Sequence, residues 1–187
     1  LTDPGTKALL QGMMGQALRS ADEYAAAVLP LTEAIDGLEW AGRPGDASLD
    51  ATMVGDVQAS LGNFAEADAA VTRARGLGEV SGDPNMVLDA DLVRGRVASE
   101  RGDLGEALTH TRRGLFAADE VGNIFCSLVG TFLVADQKLI LGEPEQDISH
   151  LERSSELAQY CNAGGLEALG QAWLAAARAS LGDLDPA

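Results

Sequence analysis

Side chains of the same kind return every forty residues along this chain, and within each period the apolar positions fall at helical spacing. Leu104, Ala107, Leu108, Leu115 and Ala118 follow the one-face spacing of an amphipathic helix. Turn residues interrupt the pattern twice per period. The tetrad Gly62-Asn63-Phe64-Ala65 returns as Gly102-Asp103-Leu104-Gly105, Gly142-Glu143-Pro144-Glu145 and Gly182-Asp183-Leu184-Asp185, with Asp22-Glu23-Tyr24-Ala25 in register ahead of them. A second turn column holds Gly42, Gly82, Gly122 and Asn162. Two turns per period divide each unit into two helices. The pattern predicts helices near 5–20, 23–39, 46–61, 64–80, 84–101, 104–121, 124–141, 144–161 and 164–181. Asp83 followed by Pro84 reads as an N-cap and first helical residue, and Pro144 also suits a first turn. Pro30 falls inside the second helix, which it should kink or break.

Other columns say how these helices meet. Gly15, Gly55, Gly95, Ala135 and Ala175 form one, Ala27, Ala67 and Ala107 a second, and Ala34, Ala74, Gly114 and Ser154 a third. Side chains this small let two helix axes approach closely. Two columns of larger apolar residues, Met13, Met53, Val93, Leu133 and Trp173, and Tyr24, Phe64, Leu104 and Leu184, are expected in the core.

Composition narrows the function. The 187 residues carry 13 Lys and Arg against 29 Asp and Glu, a net charge of −16, which argues against nucleic acid and anionic membranes as partners. A hydrophobic share of 46% is enough to build a core. Aromatic residues make up 4%, and the Ala, Gly and Leu content favours packed helices over a sheet. Cys126 and Cys161 form no disulfide framework or zinc motif. The sequence shows no signal peptide, membrane-length apolar run or basic targeting arm, so the expected setting is the cytoplasm. Beginning at Leu1 and stopping at Ala187 within the pattern, the chain reads as a fragment of a longer protein.

This pattern resembles the tetratricopeptide repeat, with its small residue on the first helix, Gly-Asp/Asn-aromatic turn and two small residues on the second. Those positions are Gly55, Gly62-Asn63-Phe64, Ala67 and Ala74 in the second unit, and Gly95, Gly102-Asp103-Leu104, Ala107 and Gly114 in the third. The family period is usually 34 residues, so a period of forty resembles the repeat arms of bacterial signal-transduction ATPases and transcription regulators. An early aromatic in the first helix is missing, and Asp147 replaces the small residue in the fourth unit. The resemblance implies an all-α fold: a right-handed superhelical solenoid of stacked antiparallel helical hairpins. It covers 1–187 as a single array with units of about 5–42, 43–82, 83–122, 123–162 and a truncated 163–187. It further implies a concave wall, lined by the first helix of each pair, that holds peptides or partner domains.

On that wall the period picks out Gln16, Asp56, Arg96, Asp136 and Ala176, flanked by Arg19, Ser20, Thr52, Asp89, Leu92, Ser99, Glu100, Phe132, Leu139 and Ile140. The candidate partner-binding residues are Gln16, Arg19, Asp56, Asp89, Arg96, Glu100, Phe132 and Asp136. One reading makes Asp56, Arg96 and Asp136 a charge ladder between stacked helices. The other lets Arg96 clamp a ligand carboxylate while Phe132 anchors an apolar group. Phe132, Leu139 and Ile140 form an exposed apolar patch, unless Pro144 and Asp147 shift the next helix to bury them. Catalysis is not expected. His110 and His150 share a column without a third metal ligand, Glu145, Asp147, Glu152 and Glu156 read as a solvated face, and no phosphate loop or nucleophile motif occurs. Cys126 is expected to be buried and inert, and the Trp173 indole N–H to find a partner. No cofactor or metal is implied. The expected role is a non-catalytic interaction module for a protein or peptide, or for another domain of the parent chain. The alternative is an effector-sensing or oligomerising arm of a regulator. The uncapped last helix, with Leu166, Leu169, Trp173, Leu174 and Leu181, offers a route to a homodimer.

Overall fold

A computed structural model describes residues 3–143 and 148–181, apart from the side chains of Leu169 and Ser180. Pro144, Glu145, Asp147, Gly182, Asp183, Leu184 and Asp185, which the repeat pattern uses, lie outside the described residues. Nine helices follow one another among the described residues: α1 Pro4–Ser20, α2 Tyr24–Trp40, α3 Pro44–Ser60, α4 Phe64–Ser81, α5 Pro84–Arg101, α6 Leu104–Val121, α7 Ile124–Leu141, α8 Ile148–Tyr160 and α9 Gly164–Ser180. Each packs on its sequence neighbours, and first helices also touch across the stack, α3 on α5 and α5 on α7. The architecture is an all-α helical-repeat solenoid.

Turn chemistry sets the hairpins. A left-handed residue recurs every twenty positions, at Asp22, Gly42, Gly62, Gly82, Gly102, Gly122, Gly142 and Asn162. Glycine adopts this conformation without Cβ strain, and Asp and Asn tolerate it best among the rest. Side chains cap the starts of α1, α5, α6 and α7, but not of α2, α3, α4 and α9: Asp3 accepts from the Thr6 N–H, Asp83 from Asn85 with Pro84 next in line, Asp103 from Glu106 and Asn123 from Cys126.

Close approach of paired helices follows from the small columns. A Cβ added at Gly95 would stand 2.9 Å from the Thr111 amide nitrogen and 3.1 Å from the Ala107 carbonyl oxygen. One at Gly15 would stand 2.5 Å from Leu31 Cγ, and one at Gly114 2.8 Å from Leu92 Cδ2. Ala27, Ala67, Ala107, Ala34 and Ala74 are fully buried beside them. Larger side chains fill the remaining space in three clusters, Leu31, Leu38 and Val57 in one, Leu88 and Leu92 in a second, Leu151 and Leu174 in a third. A charged knot fixes the central stack. Buried Asp91 on α5 accepts from Arg75 of α4 at 2.7 Å and from Arg113 of α6 at 2.8 Å.

Two expectations are corrected, and of the two outcomes expected at Pro30, a kink or a break, the break is ruled out. Pro30 does not break α2, which runs on to Trp40 with Pro30 buried; packing of Leu31, Ala34 and Ile35 in the core holds the segment helical. Met13 is 64% exposed, because the neighbours that partly bury Met53 and Val93 in the inner units have no counterpart beside α1 among the described residues. The helix α7 is long and apolar enough to cross a membrane, with mean hydropathy 1.6, contrary to the sequence reading. Half of that helix is buried in the array, and its apolar residues serve both a core and the cavity described below.

Two predictions test this packing. Gly95→Leu must push α5 from α6 and is expected to lower stability by roughly 3 kcal/mol or more; a thermal midpoint equal to the parent's refutes the helix register. Gly102→Ala, at φ +91°, should cost on the order of 1 kcal/mol, whereas Gly76→Ala, in open space on α4, should add about 0.5–1 kcal/mol. Urea midpoints of the two variants are expected to move in opposite directions.

Candidate functional site

One stripe of each inner first helix turns toward the same space. Leu49, Thr52, Met53 and Asp56 of α3 follow the i, i+3, i+4, i+7 spacing of a single helical face, and Asp89, Leu92, Val93 and Arg96 of α5 repeat it. Val129, Phe132 and Leu133 continue the same register on α7. Arg19 of α1, Phe125 and Leu128 of α7 and Leu166 of α9 complete a cavity of about 470 Å³. Every lining residue belongs to a first helix. The wall is apolar toward α7 and α9, where the Phe132 and Trp173 rings meet edge to face with centroids 5.6 Å apart. It is charged toward α1 and α3.

The charged end is mostly closed on itself. Asp56, 5% exposed, takes Arg19 Nε at 2.6 Å and an ion pair from Arg96. Arg96 also donates to Glu100 at 2.9 Å and to the Ser60 hydroxyl at 3.3 Å. Burial opposes the charge on Arg96, but Asp56 and Glu100 outweigh it and hold its guanidinium above the usual value. Asp89 is different. No hydrogen bond or ion pair holds its carboxylate among the described residues, and burial, helped by the charge of Asp56 and opposed by Arg19, pushes it up to about 6. The nearby Cys126 thiol, half-buried, is pushed up to about 11 by burial and by Asp89, so it stays protonated and unreactive.

Of the eight candidate residues, the fold brings Arg19, Asp56, Asp89, Arg96 and Phe132 to the cavity wall. Gln16 instead donates to Asp50 of α3 at 3.1 Å, and Glu100 serves only to hold Arg96. Asp136 stands off the wall; burial alone raises its carboxyl, and no ion pair links it to Arg96. The charge ladder therefore exists, but its rungs are Arg19, Asp56 and Arg96, and Arg96 is committed to Asp56 rather than free to clamp a carboxylate. The patch of Phe132, Leu139 and Ile140 is also divided. Phe132 faces the cavity, Leu139 packs on the core around Leu151, and Ile140 is 58% exposed. The Trp173 indole N–H makes no hydrogen bond within the described residues.

Sequence reasoning misses the apolar wall. The repeat columns assign Met53, Val93 and Leu133 to the core; these residues are partly buried against it and also line the cavity. Leu49 and Val129 carry no signal of their own, although they share the forty-residue register of Asp89. Among the described residues no group of three or more His, Cys, Asp or Glu is placed to hold a metal ion.

Comparison with known proteins speaks to the fold. No family model matches the chain, and no curated protein matches it. Solved structures do. Aspartyl phosphate phosphatase F from Bacillus subtilis superposes with a TM-score of 0.75 at 12% identity, over 87% of this chain and 43% of that one. A signal-transduction ATPase with a tetratricopeptide repeat sensor from Pyrococcus horikoshii gives 0.73 at 14% identity, over 94% of this chain and 28% of that one. A putative kinesin light chain with TPR-like repeats from Podosopora anserina gives 0.70 at 13% identity, over 97% and 90%. The chain thus spans less than half the length of the first two structures. Forty-residue hairpins, small-residue crossings, a wall of first helices and these likenesses agree: the chain has the fold of a tetratricopeptide-type repeat.

Proposed function

We propose that this array is a non-catalytic interaction module that holds a peptide, or a segment of a partner domain, in the cavity of its first helices. The observation that carries this reading is the convergence of one stripe from each inner first helix on an apolar space of about 470 Å³, a size typical of ligand sites. Its arginines are tied to carboxylates and its thiol is held protonated, so the wall supplies anchoring surface rather than a nucleophile or an acid-base pair. A Rap protein of the same fold, with a TM-score of 0.73 at 12% identity, was solved in complex with competence and sporulation factor, which supports a peptide or protein as the guest here. A cytoplasmic setting and a place within a larger bacterial regulatory protein are part of this proposal. A second reading, an effector-sensing arm, draws support from the tetratricopeptide sensor of the Pyrococcus ATPase. The coding sequence on either side discriminates between them, since an adjoining nucleotide-binding or DNA-binding domain favours the sensor.

Trp173 gives the groove a built-in reporter, and Trp40, the other tryptophan, is replaced by Phe to isolate its signal. Decapeptides selected on this chain are expected to shift Trp173 emission on binding. Phe132→Ala should weaken them about tenfold or more, through loss of a buried aromatic anchor, at unchanged helicity. Selected peptides that bind Phe132→Ala and the cavity-filling Val129→Trp as well as the parent refute the groove assignment.

A further inference from the structure

Asp89 is the one carboxylate of the cavity wall that no hydrogen bond or ion pair holds among the described residues; Arg19 is near enough to favour its charge but is paired with Asp56. Asp56 has two arginines, and both are committed to it. In the register of Asp89 the other units carry Leu9, Leu49, Val129 and Leu169, so a charge stands here where the repeat otherwise uses an apolar side chain. It lies on the same wall as Met53, Leu92 and Phe125, in surroundings that penalise ionisation. An unpaired charge in such a place costs the folded chain stability without adding packing. A cation arriving in the cavity would reverse that cost, because the half-buried carboxylate has already lost part of its water before the guest binds. The net charge of −16 draws basic guests to the same surface.

We propose that Asp89 is the counter-ion for a basic residue of the guest, so that the groove selects peptide segments in which Lys or Arg adjoins bulky apolar side chains. This rests on the peptide-binding reading above. The apolar side chains occupy the α7 wall around Phe132, and the ammonium or guanidinium lies between that wall and the Arg19–Asp56–Arg96 knot. Lys and Arg both pair with a carboxylate, and a carboxylate-bearing guest is repelled.

The charged and titratable groups facing Asp89 are Arg19 from α1, Asp56 from α3 and Cys126 from α7, with Arg96 on its own helix. Its folded value of about 6 lies above the ordinary 3.8, so the folded chain favours the protonated acid. The stability this supplies is present at low pH and lost as pH rises through about 6. In the free chain, Asp89→Asn should therefore raise the thermal midpoint at pH 7.5 by about 2–4 °C, and the gain should vanish below about pH 4. A lowered midpoint at pH 7.5 means that Asp89 already has a partner, and overturns the proposal.

The direct test uses an array of N-terminally acetylated decapeptides, so that side chains alone supply the cation. Peptides bound by the native chain at pH 7.5 and lost on the cavity-filling Val129→Trp are expected to be enriched in Lys and Arg. Replacing the basic residue of such a peptide by norleucine should weaken it about tenfold on the native chain and leave its binding to Asp89→Asn nearly unchanged. Lowering pH from 7.5 to 5 should weaken the native complex about tenfold, as the ionised fraction of Asp89 falls, and leave the Asp89→Asn complex unaffected. Groove-dependent peptides without basic residues, or with a basic residue that matters equally on Asp89→Asn, overturn the counter-ion and leave the groove standing. If no peptide depends on Val129, the groove reading fails and the counter-ion with it.

Discussion

Close approach of the two helices within each hairpin is the constraint on which the rest of the molecule depends. At Gly95 there is no room even for a methyl group between α5 and the Thr111 backbone. Such contact brings backbone against backbone, and the gain comes from many short dispersion contacts rather than from large side chains. It also spares the bulky residues for other faces. A hairpin held together by Gly and Ala keeps its leucines and valines for stacking on the next hairpin, and the stripe that points away from both remains free to line a cavity.

That economy explains how a chain with few aromatic residues builds an apolar cavity. The stripe at Leu49, Thr52, Met53 and Asp56 recurs on α5 and again, through Phe132, on α7, so three helices place similar side chains around one space. Along the stripe the chemistry changes gradually. The α3 and α5 end carries Asp56, Asp89 and Arg96, while α7 contributes only apolar side chains. Repetition supplies the shape, and departures from repetition supply the chemistry.

Ion pairs then tie the units together. Asp91 joins α4, α5 and α6, Asp56 joins α1, α3 and α5, and Arg73 joins Asp36 and Glu39 of α2 to α4. In a chain with more than twice as many acidic as basic residues, these arginines are scarce. Their use inside the stack explains why a carboxylate clamp, which needs a free arginine, does not form at Arg96. Asp136 and Asp89 are left over from this pairing, and of the two Asp89 faces the cavity.

Helix number, hairpin boundaries and the identity of the close crossings were legible in the sequence, because turn conformation and helix contact are local demands. A left-handed turn every twenty residues requires Gly, Asn or Asp whatever lies elsewhere, and a crossing requires a small residue at one register. That one apolar column serves both core and cavity was not legible. Met53, Val93 and Leu133 have the composition of a core column and do pack partly against the core, and only the tertiary arrangement of α3, α5 and α7 lets them border an open space as well. The same holds for charge. Sequence placed Asp56, Arg96 and Asp136 in one column, but pairing depends on side-chain reach across stacked helices, and the tertiary structure gave Arg96 to Asp56, left Asp136 aside and set Asp89 unpaired among apolar neighbours.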